Sequence, residues 1–374
     1  VLVLLIPFGG VIADKISKVK IMYITDFIRG FTILLTGLIL WIDLSIVATL
    51  IALFVMNFIL AVNASFFSPA AQSLLRFIVS DEELQPGASL LQGSSNFQSI
   101  LGLILGGILF STLGIVWIFL INGIAYLISA ITEIFIKYQH NDTLNGHPMT
   151  MREMLIDIKS GAKYLWNQRG IFDLLIMALA INFFTAPLFA NAMPYFITYH
   201  LAEEPTYLFK NLFTPENWFS IIEVAFSIGA IIMSLVLAKQ ATKSSYAKSL
   251  KFWIVGLLVP LVLVSLFMIG YYQSFAPVNI LLISTVVLMF VMGFANVGFN
   301  VPVSLIFQRR VDPLMLGKVS SVSSVLSQAL IPLSSLAAGA IIMNIGITSL
   351  YVFSIIGMVL VAGIYLSTKS INQL

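Results

Sequence analysis

A series of long apolar runs, separated by short polar connections, restricts the fold of this chain more than any other feature of its sequence. An α-helix needs about 20 mostly apolar residues to cross the hydrocarbon core of a bilayer. We therefore predict an all-α polytopic membrane protein and place eleven segments on the chain. They lie near residues 1–12 (a run that is cut short), 21–41, 45–65, 90–111, 113–136, 171–199, 218–238, 250–272, 277–300, 319–343 and 346–367.

The composition agrees with lipid as the solvent of this chain. Only 9% of its residues are charged and 59% are hydrophobic, whereas a typical soluble domain is about 25% charged. The formal net charge is only +3, so a nucleic-acid partner is not expected. There is no cysteine and no Gly-rich phosphate loop with Lys-Ser/Thr. The histidines His140, His147 and His200 lack metal-ligand spacing, and we expect no enzyme activity, no metal and no cofactor.

The basic residues alternate between consecutive connections, and this pattern predicts which side of the membrane each loop faces. Of the 19 Lys and Arg residues, all but two lie in alternate loops or in the tail. Cytoplasmic loops carry an excess of Lys and Arg, so we predict that these loops are cytoplasmic. The two exceptions are Arg29, within a segment, and Lys210, on the opposite side.

We predict three parts along the chain: an N-terminal helix bundle at residues 1–137, a linker at 138–170 and a C-terminal helix bundle at 171–374. The second part of the linker is amphipathic, which favours a helix lying along the cytoplasmic membrane surface. A solvated helical connector is the alternative, and both stay open. The apolar positions are Met151, Leu155, Ile158, Ala162 and Leu165.

An internal repeat indicates that the two bundles are related. Pro69 is followed seven residues later by Arg76, and Pro302 is followed seven residues later by Arg309, each pair at the end of an apolar segment. Repeats of this kind are typical of transporters built from two parallel six-helix halves. Because the chain starts inside an apolar run without Met or a basic region before it, we expect that the first of twelve helices is absent here and that eleven spans are present.

The loop after the first segment carries the motif that points to a family. Residues 10–20 read Gly-Val-Ile-Ala-Asp-Lys-Ile-Ser-Lys-Val-Lys, which resembles the Gly-x-x-x-Asp-Arg/Lys-x-Gly-Arg-Arg/Lys loop of the major facilitator superfamily. The resemblance implies a major-facilitator fold of two six-helix halves with a cytoplasmic gate, and we expect the cations of the loop to face the anionic leaflet. Ser17 and Val19 depart from the pattern, and the equivalent loop of the second half, residues 237–243, has no Asp. The matching residues are Gly10, Asp14, Lys15 and Lys18.

Other runs, at residues 67–71, 79–84, 301–302 and 317–319, are similar to the macrolide-efflux branch of that superfamily. This resemblance implies proton-coupled efflux of drugs or metabolites. Gly102, Gly106 and Gly107 also resemble the antiporter motif of exporter branches, although Leu103 stands where the motif has Pro. The same spacing occurs wherever two membrane helices pack closely, so ordinary helix packing is the alternative.

Ionisable residues inside the apolar segments are candidates for coupling and gating, because they are costly in a bilayer and usually functional. Glu223 has apolar neighbours in its segment, and an apolar environment favours the neutral form of a carboxyl group that must take up and release protons. We predict that Glu223 couples proton movement to transport; an interfacial Glu that reaches water is the alternative. Asp26 and Arg29 share a helix face, and we predict that they form an ion pair within the cytoplasmic gate, to which Arg76 also belongs. We expect Glu133 to act as an anchor at a helix end that water reaches.

Uncharged amides inside the segments are the candidates for a substrate cavity. Each buried amide must find a partner or water, and a central hydrated cavity would satisfy them together. Hydrogen bonds between helices are the alternative for each. The predicted cavity residues are Gln92, Asn96, Asn182, Asn296, Asn300 and Gln328.

The hypothesis that follows is a monomeric, proton-driven exporter of amphiphilic small molecules, embedded in the lipid of a bacterial plasma membrane. An importer of the same fold is one rival. The other is a membrane-embedded enzyme or lipid-binding protein that transports nothing.

Overall fold

The computed structural model describes residues 2–42, 45–137, 151–240, 246–313 and 315–368, and helices make up nearly all of these ranges. The predicted all-α polytopic fold is confirmed, since nine helices in the described part of the chain are long and apolar enough to cross a bilayer. The predicted number of eleven spans stays a prediction. The nine run over Lys18–Trp41, Ile46–Ile78, Ile115–Glu133, Arg169–Leu201, Pro215–Ala238, Ala247–Tyr272, Val278–Arg310, Leu316–Ile345 and Ile347–Ser367.

The α-helices are numbered in chain order, and two π-helical stretches, Leu188–Ala192 and Phe196–Leu201, flank the very short α8. The bounds are α1 Leu2–Lys15, α2 Lys18–Trp41, α3 Ile46–Ile78, α4 Leu84–Leu113, α5 Ile115–Glu133, α6 Met151–Asn167, α7 Arg169–Pro187, α8 Met193–Tyr195, α9 Pro215–Ala238, α10 Ala247–Tyr272, α11 Val278–Arg310, α12 Leu316–Ile345 and α13 Ile347–Ser367.

The chain forms two compact units, each assembled from segments that are distant in sequence. Unit 1 comprises Val1–Asp81, Leu101–Gln168 and Phe307–Leu326. Unit 2 comprises Glu82–Ile100, Arg169–Ile306 and Ser327–Leu374. Residues of α4, α11 and α12 therefore contribute to both units. The sequence-ordered division at residues 137 and 171 stays a prediction.

Local signals explain where several helices begin. The Ser17 hydroxyl accepts a hydrogen bond from the backbone N–H of Lys20 at the start of α2, and Ser45 accepts one from Ala48 at the start of α3. Each serine satisfies a backbone N–H that has no partner within the helix. α5 and α13 begin after glycines in the left-handed region, where a side chain would be strained. These are Gly114 (φ 79°) and Gly346 (φ 98°).

α3 and α11 are longer than the segments predicted for them, 45–65 and 277–300. The prediction ended α3 where hydropathy falls, but the polar side chains there are satisfied inside the helix. Asn63 donates to the carbonyl of Ile59 at 2.8 Å, and Ser73 donates to the carbonyl of Pro69 at 2.7 Å. Bonds to the preceding turn let a polar residue continue a helix, so the fall in hydropathy does not mark its end.

α6 occupies the amphipathic part of the predicted linker and packs within unit 1, where it contacts α1. Lys318 Nζ forms an ion pair with Asp157 Oδ1 at 2.9 Å. The hydroxyl of Tyr164 accepts a hydrogen bond from the backbone N–H of Asp312 at 3.2 Å. Leu155, on the predicted apolar face, is 54% exposed. Protein contacts therefore hold one face of α6, and its position on the membrane surface stays a prediction.

Candidate transport sites

Gly10, the small residue of the loop motif, lies where α1 crosses α12 in unit 1. A Cβ atom at this position would overlap the side chain of Ser321 and the backbone oxygen of Gly317. The preceding Gly9 faces the backbone of Ser65 in α3 in the same way. Two neighbouring glycines therefore let α1 approach two helices at backbone distance, as expected where small residues line a membrane helix interface.

Lys18 departs from the expectation that the cations of the motif face the membrane surface. It is 3% exposed, and its Nζ donates to the carbonyl oxygen of Ala13 at 3.0 Å. The Nζ also lies 4.7 Å from the ring centroid of Phe77. The last carbonyls of a helix lack partners within it, and a cation complements that end of the helix dipole. Lys18 therefore caps α1. The side chains of Asp14 and Lys15 lie outside the described residues.

The predicted ion pair between Asp26 and Arg29 is present and buried in unit 1. Arg29 Nη1 lies 3.0 Å from Asp26 Oδ1, and Ser129 of α5 also hydrogen-bonds to Asp26. The Arg29 guanidinium lies 4.5 Å from the ring centroid of Phe67 and 5.9 Å from that of Tyr126. Aromatic ring faces attract a desolvated cation, so α3 and α5 both hold Arg29 in place.

The prediction that water reaches Glu133 is wrong. Its side chain is only 9% exposed, and it interacts electrostatically with both Asp26 and Arg29. The reason is the packing of α5 along α2, which covers the end of α5. In the part of the chain that the structure describes, Glu133 Oε2 and Arg76 Nη1 are buried without a hydrogen-bond partner. The place of Arg76 in a gate stays a prediction.

Glu223, the predicted coupling residue, lies in α9 of unit 2, about 12 Å along the axis from the first residue of the helix. It is partly buried, and none of the described residues forms a charge interaction or hydrogen bond with it. α9 touches α11 at backbone distance nearby: a Cβ atom at Gly293 would overlap the carbonyl of Phe226, and one at Gly229 would overlap the carbonyl of Phe290. Glu223 therefore lies about one turn from a close crossing of α9 and α11.

The six predicted cavity amides all belong to segments of unit 2. Asn300 Nδ2 donates to Asn296 Oδ1 at 3.0 Å, and Asn96 Nδ2 donates to the carbonyl of Gln92 at 2.8 Å. These bonds stay within one helix, so they are not the helix-to-helix bonds of the alternative. Asn182 is exposed, and the side chain of Gln328 lies outside the described residues. Their common place in a cavity stays a prediction.

Two of the three glycines of the antiporter-like motif have no described neighbour packed against them. A Cβ atom at Gly102 or at Gly106 would meet no described atom within 4 Å. The surroundings of Gly107 lie outside the described residues. A packing role for this motif stays a prediction.

Sequence reasoning missed a buried hydrogen-bonded link within unit 2. The hydroxyl of Tyr246 donates to Gln85 Oε1 at 2.8 Å, and Gln85 Nε2 donates to the carbonyl of Leu237 at 3.4 Å. Gln85 lies at the start of α4, Leu237 at the end of α9 and Tyr246 just before α10. The partners are 161 residues apart, so no local pattern could have shown the link.

Sequence reasoning also missed an aromatic cluster around His200 in unit 2. The imidazole ring lies 4.9 Å from the ring of Tyr272 and 5.6 Å from that of Tyr195, centroid to centroid. The hydroxyl of Tyr271 donates to Glu204 Oε2 at 3.1 Å. The π-helical stretch Phe196–Leu201 carries His200, and such stretches are frequent at functional sites. Their local widening gives no signal in the sequence pattern.

These features define a class: a polytopic α-helical membrane protein with glycine-mediated helix crossings in its first helix and buried carboxyl groups in its spans. The sequence profile of the Major Facilitator Superfamily matches residues 1–334. The chain belongs to this superfamily and is a transporter of small molecules.

Individual relatives are distant. A macrolide efflux protein A of Streptococcus pyogenes is 23% identical over 93% of this chain and 79% of its own length. An uncharacterized transporter of the superfamily from Bacillus subtilis, YkuC, is 23% identical over 83% of this chain and 67% of its own length. Among solved structures, the human organic anion transporter MFSD10 matches 97% of this chain and 80% of its own, with a TM-score of 0.73 at 12% identity. A bacterial homologue of ferroportin in an outward-facing state matches 98% of this chain and 86% of its own, with a TM-score of 0.67 at 13% identity. These structural likenesses show the fold.

Proposed function

We propose that this chain is a proton-driven exporter of amphiphilic small molecules that works as a monomer in a bacterial plasma membrane. Two six-helix halves would expose a central site alternately to the two sides of the membrane, as in other transporters built from repeats. The proposal adds the direction, the coupling ion and the substrate class to family membership. The streptococcal relative named for macrolide efflux supports the direction and the substrate class.

The observation that carries proton coupling is the carboxyl group of Glu223, which has no charged or hydrogen-bonded partner among the described residues. An amide cannot bind and release a proton near neutral pH, so the predicted cavity residues cannot supply coupling. A carboxylate without a partner is costly in apolar surroundings. The neutral form of the group is therefore favoured until a conformational change exposes the group to water. The basic residues predict that α9 begins on the extracellular side, so protons entering from outside have a short path to Glu223.

The aromatic rings of unit 2 support an amphiphilic substrate. Phe184 of α7 lies 5.3 Å from Phe183 and 5.3 Å from Phe353 of α13, centroid to centroid. The exposed amide of Asn182 is next to them in sequence. Small-molecule sites combine apolar walls with a few polar groups, and this combination suits a molecule with an apolar body and a polar edge.

The test is transport by the full-length protein in proteoliposomes, with ethidium as the fluorescent probe and an imposed pH gradient. Glu223→Gln keeps the shape of the side chain and mimics its neutral form. We expect it to abolish pH-driven accumulation while ethidium affinity changes by less than about twofold, or roughly 0.4 kcal/mol. Glu203→Gln, at an exposed loop position, is the matched control and should pump like the wild type.

The opposite outcomes are distinct. Pumping by Glu223→Gln at the wild-type rate would place the proton path elsewhere. Gradient-driven flux towards the cytoplasmic face would make the protein an importer. Ethidium binding without flux of either sign would favour a lipid-binding protein or an enzyme.

A further inference from the structure

Three ionisable side chains meet inside unit 1, where α2 packs along α5. Asp26, Arg29 and Glu133, here called the buried acidic cluster, are 3%, 8% and 9% exposed. Asp26 and Arg29 form the 3.0 Å ion pair, and Glu133 interacts electrostatically with both. The packing of α2 along α5 therefore buries Glu133 in the same helix interface as the ion pair.

The charges of the cluster do not balance. Arginine stays protonated in proteins, so two ionised carboxylates and one guanidinium would leave one negative charge in a buried position. The groups that face the cluster from neighbouring helices are neutral: Phe67 from α3, and Tyr126 and Ser129 from α5. No further charged group among the described residues acts on Glu133. An uncompensated buried charge is strongly unfavourable.

The imbalance is located at Glu133. Asp26 accepts from Arg29 and is hydrogen-bonded to Ser129, whereas Glu133 Oε2 is fully buried and has no hydrogen-bond partner among the described residues. A buried carboxylate oxygen without a donor loses its hydration and gains nothing in return. A proton on this oxygen removes the excess charge and needs no additional space, whereas a metal ion needs several oxygen ligands around it.

We propose that Asp26 and Glu133 hold one proton between them in the resting protein, with Glu133 as its main site, and that this proton exchanges with water only when a conformational change uncovers the end of α5. Uptake forms one O–H bond on Glu133 and converts a hydronium ion to water; release reverses the step. Two coupled carboxyl groups titrate as a pair, and Arg29 keeps the second one ionised. The cluster is a second proton-binding site, in unit 1, and it does not depend on the role of Glu223 in unit 2.

The test is infrared difference spectroscopy of the full-length protein in lipid nanodiscs at neutral pH, which detects the carbonyl stretch of a protonated carboxyl group. Glu133→Gln should remove one such band from the wild-type spectrum. Asp26→Asn should remove this band as well. Glu133 is then the only carboxyl group of the cluster, the charge of Arg29 balances its carboxylate, and Glu133 ionises. Glu203→Gln, at an exposed position, should leave the band unchanged, and Glu223→Gln should remove a different band or none.

A band that survives either Glu133→Gln or Asp26→Asn would overturn the proposal. If Asp26 and Arg29 form only a structural ion pair and Glu133 is ionised independently, the wild-type spectrum contains no band from a protonated carboxyl group of the cluster. Absence of this band from the wild type would therefore also overturn the proposal. Replacing choline chloride with sodium chloride at constant pH should have no effect; loss of the band on adding Na⁺ would show that the cluster binds Na⁺ in competition with the proton. The two variants change different helices, so one that folds suffices for the decision.

Discussion

Gly293→Ala is expected to destabilise the protein because it separates α9 from α11. The added Cβ atom would overlap the backbone oxygen of Phe226 and lie 3.0 Å from its Cα atom, and a backbone in the middle of a helix cannot rotate away. Alanine in place of glycine gains about 1 kcal/mol of helix propensity. Overpacking typically costs about 1–3 kcal/mol, and here the helices must also part along their contact. We expect a net loss of about 2 kcal/mol of unfolding free energy.

The matched control is Gly106→Ala in α4. No described atom lies within 4 Å of a Cβ atom there, so only the gain in helix propensity remains, about 1 kcal/mol. The assay is the apparent melting temperature of detergent-purified protein, followed by fluorescence-detected size exclusion. Gly293→Ala should melt well below the wild type, and Gly106→Ala at or above it. If the two variants melt at the same temperature, the backbone contact between α9 and α11 does not limit packing, and the reasoning fails.

Three further predictions concern other parts of the chain. Asp14→Asn should slow transport while substrate affinity changes by less than about tenfold, or roughly 1.4 kcal/mol; titration of ethidium fluorescence measures the affinity, and a larger loss would place Asp14 in the substrate site. In this cysteine-free chain, Gln273→Cys should react with an impermeant maleimide added to intact cells and Lys239→Cys should not; the reverse pattern would invert the topology. Tyr246→Phe should lower the free energy of unfolding by about 1–2 kcal/mol because Gln85 loses a buried donor. Tyr272→Phe should leave it nearly unchanged, because the hydroxyl of Tyr272 has no partner among the described residues. Equal melting temperatures of the two variants would contradict this prediction.

Features set by neighbours in sequence could be predicted without the structure. The spans follow from the length of the apolar runs, since lipid requires a continuous helix of that length. The ion pair of Asp26 and Arg29 follows from a spacing of three residues on one helix, and the structure confirms it. The requirement for glycine at the crossing of α1 follows from the loop motif, although the partner, α12, does not.

Features set by packing between distant segments could not be predicted. Glu133 looked accessible because it lies near a helix end, but its burial depends on how α5 lies along α2. Lys18 looked like a surface cation, but it caps α1 because a short loop returns it to the carbonyl of Ala13. Helix ends were misplaced where a side chain such as Ser73 bonds to its own preceding turn, because hydropathy does not measure that bond.

The two proposed proton sites together predict how much free energy one transport cycle can obtain from a pH gradient. Glu223 belongs to unit 2, and the cluster of Asp26 and Glu133 belongs to unit 1. If only Glu223 exchanges its proton in each cycle, a gradient of one pH unit supplies about 1.4 kcal/mol per substrate molecule, whereas exchange at both sites supplies about twice that. The largest ethidium gradient that the protein sustains therefore rises tenfold per pH unit in the first case and a hundredfold in the second, before any contribution from membrane potential. If both sites exchange protons, Glu133→Gln should reduce the increase in the ethidium gradient from a hundredfold to tenfold per pH unit. If only Glu223 exchanges its proton, Glu133→Gln should leave the tenfold increase unchanged, which would show that the proton on Glu133 only neutralises a buried charge.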